Sequence, residues 1–135
     1  MKIGIRTIND VKILDCSGQL TLGEGTMAVR NTVRSILEAG GKKIIFNLAN
    51  VTYIDSPGVG ELVDTYTTFR AQGGGMKLLN PTKKIQQPLV VTRLVTIFEV
   101  SNNEQALLAS FSSPAVQGMA VAQGTDPLNR KASVA

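Results

Sequence analysis

The chain contains no histidine, no tryptophan and a single cysteine, and only 4% of its residues are aromatic. Without histidine, the Ser-His-Asp and Cys-His nucleophile systems are excluded, and most zinc sites with them. One cysteine cannot form an internal disulfide framework, so Cys16 reads as a small buried hydrophobe in a reduced, cytoplasmic setting. Six aromatic residues (two Tyr, four Phe) are too few for a base-stacking platform. No apolar run approaches the roughly 18 residues that a membrane-spanning helix needs, and no signal-type stretch follows Met1. What is present is 135 residues, 43% apolar and 18% charged. That suffices for one domain with a packed core and a tail. The net charge of +4 is spread along the chain, with Lys42-Lys43 and Lys83-Lys84 as its densest points. No direct nucleic-acid contact is therefore expected, because such contact calls for clustered charge.

Residues 2–8 alternate, with Ile3 and Ile5 on one side and Lys2, Gly4 and Arg6 on the other, as a half-buried strand does. Asn9-Asp10 is a turn, and 11–16 forms the second arm of a hairpin. Ser17 to Gly25 reads as a polar, glycine-bearing loop. Val29, Val33, Ile36 and Leu37 then mark one face of a helix over about 25–39, stopped by Gly40-Gly41. The continuous apolar run 44–48 predicts a central strand with parallel neighbours. Val59, Leu62, Val63, Tyr66 and Phe69 predict a second amphipathic helix, ended by Gly73–Gly75. A short strand over 76–79 precedes a helix over about 82–92, in which Pro88 forces a kink or an early stop. Residues 97–100 read as a last strand. Ser101-Asn102-Asn103-Glu104 reads as a capping box with Ser101 as the cap, opening a helix that carries Leu107, Leu108 and Phe111. Residues 112–135, rich in Ser, Pro, Ala, Gln and Gly, read as a flexible tail with transient helix over 114–123. The expected fold is an α/β single domain over 1–111, a mixed, mostly parallel sheet of four or five strands with about four helices.

The informative stretch is Asp55-Ser56-Pro57-Gly58-Val59-Gly60-Glu61-Leu62, which joins a buried strand to a helix. Ser56 is expected to be the N-cap, with Pro57 at the first helical position. Two glycines in a first helical turn run against propensity. Their expected use is close approach of another backbone or a phosphate. Ser56 has no histidine to take its proton, and an adjacent aspartate is too weak a base to do so alone. The segment is not G-x-S-x-G, no nucleotide-binding glycine fingerprint occurs, and the acidic residues are too scattered for a metal site. A serine that accepts a phosphate fits better. Phosphorylation adds about −1.5 to −2 charges, which a helix N-terminus tolerates and a docked partner does not.

These residues resemble the STAS family, and within it the bacterial anti-sigma-factor antagonists, over about 3–111. The resemblance rests on Asn47 to Leu62, on Gln72-Gly73-Gly74 before Met76–Leu79, on Asn80-Pro81, and on Ser17-Gly18-Gln19-Leu20. The family pattern is D-S-[ST]-G-[LIV]-G; here Pro57 takes the third place, and Thr21 stands where an Asp often follows G-x-L. The resemblance implies a non-enzymatic binding module with no cofactor. It would capture an anti-sigma factor that is also an ATP-dependent serine kinase while Ser56 is unphosphorylated, and a serine phosphatase would reset it. The partner surface so implied comprises Thr21, Gly23, Gly25, Asp55, Ser56, Pro57, Gly58, Val59, Gly60 and Glu61, on a monomer or weak dimer. Two alternatives stay open: a scaffold component of a larger signalling complex, and a module binding a nucleotide or lipid beside Gly23, Gly25 and Gly58.

Overall fold

The computed structural model describes residues 1–91 and 97–111. Its elements are β1 (Lys2–Ile8), β2 (Val11–Leu20), α1 (Glu24–Glu38), β3 (Lys43–Ile54), α2 (Ser56–Ala71), β4 (Gly75–Leu79), α3 (Lys83–Val91), β5 (Glu99–Ser101) and α4 (Glu104–Phe111). The five strands lie in sequence order, β1-β2-β3-β4-β5. β1 pairs with β2 antiparallel and the rest are parallel, which is the mixed α/β sheet expected. The tail expected over 112–135, with its transient helix, lies outside the described residues.

Strand alternation divides the apolar residues between two layers. Leu14, Cys16, Ile44, Phe46, Leu48, Met76, Leu78 and Val100 pack with Val29, Val33 and Ile36 of α1, Val59, Leu62 and Phe69 of α2, and Ile85 and Leu89 of α3. Val11, Ile13, Ile45 and Leu79 pack instead against Leu107, Leu108 and Phe111 of α4. Three helices thus share one face and α4 has the other. Both faces of β3 are covered, so Ile44, Ile45 and Phe46 are all fully buried, as the unbroken apolar run implied. Cys16 is buried, and burial pushes its thiol up to about 12.

Three strand boundaries differ from the sequence reading. β2 continues through Ser17, Gly18 and Gln19 to Leu20, paired with the far half of β3 through two register irregularities. The bulged, polar texture of that segment is what made it read as a loop. β3 accordingly runs on to Ile54. β5 begins at Glu99, because β4 offers it partners only at Lys77, Leu78 and Leu79. α3 runs Lys83–Val91 with Pro88 inside it, close to the span of about 82–92 read from sequence, so the proline does not stop it early. At α4, Asn103 is the cap: its Oδ1 accepts the Ala106 N–H at 3.0 Å. Ser101 supports the turn before it, its Oγ accepting the Asn103 N–H at 2.9 Å.

The α4 face is held by charge as well as by apolar contact. Arg6 grips Asp15 with two bonds of 2.6 and 2.9 Å and reaches Glu104 at 2.9 Å, tying β1 and β2 to the start of α4. Lys77 is buried at 7% exposure, pairs with Glu99 at 2.8 Å, donates to Ser110 and lies 4.3 Å from the centre of the Phe111 ring. Burial lowers its pKa, partly offset by Glu99. The Arg6 bonds hold the Asp15 carboxyl below the usual carboxylate range, against its partial burial and with help from Asn47. A carboxylate whose folded pKa is depressed contributes stability above its unfolded value, near 3.9, and loses that contribution as the pH falls through the folded value. Asp15→Asn is therefore expected to lower stability at neutral pH by about 1 kcal/mol, the upper end for a partly exposed pair. It is also expected to flatten the decline in stability on acidification below about pH 4. Denaturant melts across a pH series check both.

Candidate functional site

Both helix–strand junctions at the C-terminal end of β2 and β3 meet at Asp55. Its backbone is extended, with φ −105 and ψ −179. One carboxylate oxygen accepts the Gly58 N–H at 2.8 Å and the other accepts the Leu22 N–H at 2.9 Å. The first bond caps α2; the second ties down the β2–α1 loop. The Asp55 N–H itself donates to the Leu20 carbonyl at 3.3 Å. Asp55, then, is the N-cap, not Ser56 as expected from sequence. Ser56 is the first helical residue and Pro57 the second, where its missing N–H still leaves no intrahelical bond unmade. Both residues satisfy N-cap preference; the loop N–H at Leu22, a tertiary partner, selects the aspartate.

The cap assignment sets the exposure of the motif. Ser56 and Pro57 are exposed and Asp55 is half-buried. The Ser56 hydroxyl is thus accessible at the positive end of a helix of 16 residues. With both Asp55 oxygens engaged by N–H groups, neither is poised to take the serine proton.

The two motif glycines have different uses. Gly58 is buried, and a Cβ there would overlap the Leu20 carbonyl oxygen and the Ile54 side chain. The backbone that approaches it closely is this chain's own. Gly60 has no heavy atom within 4 Å of a Cβ position and leaves a bare spot one turn from Ser56. In the loop, a Cβ at Gly25 would lie 2.6 Å from the Gln19 carbonyl oxygen, so Gly25 too is a packing glycine. Gly23 is exposed at φ +102 with open space around it. The space beside Gly25 and Gly58, suggested as a small-ligand pocket, is filled by the end of β2. Thr21 is half-buried, and its carbonyl accepts the Thr26 N–H at 3.0 Å.

Val59 is buried in the helix-side core. Glu61 is buried too, at 6% exposure, and its carboxylate accepts from Arg30 of α1 at 2.8 Å. That pair crosses a groove of about 370 Å³ between α1 and α2, floored by Val33 and Leu37 and flanked by Arg34 and Asp64. The Glu61 charge is therefore balanced within the fold. Sequence reading missed the apolar contribution to this end of the molecule. Leu22 is 72% exposed and Met27 56%. A leucine inside a glycine-rich loop was the available signal. Among the described residues, no group of three or more Cys, Asp or Glu could hold a metal ion, and no helix is long and apolar enough to cross a membrane.

Comparison with known proteins places this geometry. The STAS domain family matches residues 2–107. A Thermotoga maritima protein, named as a candidate anti-sigma factor antagonist, is 26% identical over 95 residues, 70% of this chain and 84% of its own. The anti-sigma-B factor antagonist of Bacillus subtilis is 35% identical over 54 residues, 40% of this chain and 50% of its own. Among solved structures, the crystal structure of a Thermotoga maritima candidate antagonist superposes with a TM-score of 0.72 at 22% identity, over 82% of this chain and 94% of that one. The Bacillus cell-fate determinant SpoIIAA in its phosphorylated form gives 0.64 at 19% identity, over 81% and 99%.

The glycines provide an opposed pair of expectations. Gly58→Ala forces a methyl into the Leu20 carbonyl and should destabilise by about 1–3 kcal/mol. Gly60→Ala meets nothing and restricts the unfolded chain, so it should stabilise by about 0.4–1 kcal/mol. Urea unfolding of the two variants checks the signs.

Proposed function

This chain belongs to the STAS domain family, and we propose that it acts as an anti-sigma-factor antagonist switched by phosphorylation of Ser56. The observation that carries the reading is the exposed Ser56 residue, held at the first position of α2 by an Asp55 cap whose two oxygens each accept a backbone N–H. Sequence relatives named for antagonism of anti-sigma factors support the partner class. In its unphosphorylated form the chain docks an anti-sigma factor, and the sigma factor that the partner held becomes free for transcription. The docking surface is the Ser56 end of the molecule: Thr21, Gly23, Ser56, Pro57 and Gly60, with Leu22 and Met27 as apolar anchors. Gly25, Asp55, Gly58, Val59 and Glu61 shape that surface from beneath.

The chemistry is substrate chemistry. The partner, acting as a serine kinase, presents ATP. The Ser56 oxygen forms a bond to the γ-phosphorus while the bond from that phosphorus to the β–γ bridging oxygen breaks, and ADP leaves. The serine proton goes to a base on the kinase, since this chain has no histidine and Asp55 is occupied. A serine phosphatase reverses the state: water attacks the phosphorus, and inorganic phosphate and the serine hydroxyl are released.

Phosphorylation places about −1.5 to −2 charges beside a bare, partly apolar surface. Within the fold that charge sits at the positive helix end and is tolerated. In a complex it would be desolvated against a surface fitted to a neutral hydroxyl, which costs several kcal/mol. With the partner captured on the unphosphorylated protein, calorimetry is expected to show Ser56→Ala binding as the wild type does. Ser56→Asp should bind at least about tenfold more weakly, a loss of about 1.4 kcal/mol or more. Equal affinities for the two variants would contradict the switch.

A further inference from the structure

The sheet has two edges, and they are unlike. β5 offers only three residues. β1 offers seven, Lys2 to Ile8, with no proline and no irregularity in its pairing. An edge of that length is a template for another strand unless it is blunted. We infer that β1 is the interface of a homodimer, in which the β1 strands of two copies pair antiparallel about a two-fold axis at Ile5 and the two sheets become one.

The register follows from backbone and charge. In an antiparallel pair, residues that exchange both backbone bonds alternate with residues that exchange none. The two-residue turn Asn9-Asp10 closes on the pair Ile8–Val11. Counting back along the strand, Arg6, Gly4 and Lys2 spend their N–H and C=O groups on β2. Ile3, Ile5 and Thr7 therefore aim theirs outward, off the sheet edge. A two-fold axis at Ile5 sets Ile5 opposite Ile5 of the second copy and Ile3 opposite its Thr7. These are the residues with bonds to give, and each pair can exchange both.

Neighbouring registers are opposed by charge. An axis at Gly4 sets Lys2 opposite Arg6 of the second copy, and an axis at Arg6 sets two arginines face to face; like charges directly opposite destabilise a sheet. The axis at Ile5 instead places Arg6 opposite Gly4, which has no side chain and open space around it. Lys2 then meets Ile8. In this register Arg6 faces no cation of the second copy and keeps its ion pairs with Asp15 and Glu104. On the helix-side face, Ile3 packs against the core, whereas Ile5 remains 50% exposed; the two-fold brings the Ile5 side chains of the two copies together. The C-terminal ends of the two β3 strands point in opposite directions in this arrangement, so both Ser56 sites stay open.

Sedimentation equilibrium of the full chain over a wide concentration range, with amide hydrogen exchange on the same samples, tests the inference. A reversible monomer–dimer equilibrium is expected, with exchange at Ile3, Ile5 and Thr7 slowing as concentration rises and exchange at Gly4 and Arg6 unaffected. Ile5→Lys sets two cations across the axis and should weaken the dimer at least about tenfold. Ile5→Thr, an uncharged strand former, should retain it. A chain that stays monomeric at its highest attainable concentration overturns the inference. So does a dimer that Ile5→Lys leaves intact, or one whose Ile3, Ile5 and Thr7 amides gain no protection. None of these results bears on the Ser56 switch, which does not involve β1.

Discussion

Two short hydrogen bonds to a single carboxylate organise the working end of this molecule. Asp55 accepts from Gly58 and from Leu22, so one side chain starts α2 and anchors the loop before α1. The close approach this requires is possible because Gly58 lets the Leu20 carbonyl come near the helix start. With Asp55 as the cap, the next residue falls on the outside of the first turn. The exposure of Ser56 and the bare patch at Gly60 follow from that placement. Removing the Asp55 carboxylate would loosen both junctions together, so the proposed switch at Ser56 is one that leaves its neighbour undisturbed.

Much of the architecture was legible because it rests on periodicity. Alternation marked β1, the unbroken apolar run marked the centre of β3, and the 3.6-residue spacing of Val29, Val33, Ile36 and Leu37 marked α1 and its buried face. The sequence reading failed where local signals were degenerate. Asp55 and Ser56 both suit a cap, and only the Leu22 N–H, thirty-three residues away in sequence, separates them. Asn103 and Ser101 form a similar pair before α4. The second half of β2 was hidden by polar residues and a glycine in a bulged strand. Glu61, expected on the partner surface, is buried against Arg30, a partner on another helix that local sequence does not reveal. The motif glycines read alike and differ in what surrounds them: one faces a carbonyl of the same chain, the other faces solvent.

The electrostatics of the site support a switch that works at the surface. Glu61 is balanced by Arg30, and both Asp55 oxygens accept backbone N–H groups. A phosphate on Ser56 therefore meets a helix terminus whose positive end remains available to it and an interior whose own charges are already paired. The opposite face of the sheet, held by Arg6, Asp15, Glu104 and Lys77, carries α4 and takes no part in this chemistry. The fold thus separates the residues that keep it together from the hydroxyl proposed to change state.

Phosphate on Ser56 is proposed to alter what the molecule presents and not how it is folded. Native-state amide exchange at Leu22 and Gly58, measured before and after stoichiometric phosphorylation of Ser56, tests it most directly. Both amides are expected to keep their protection, since each is held by Asp55 beside the modified residue. Loss of protection at either amide on phosphorylation would mean that the cap opens and that the switch acts by melting the start of α2, contradicting the account.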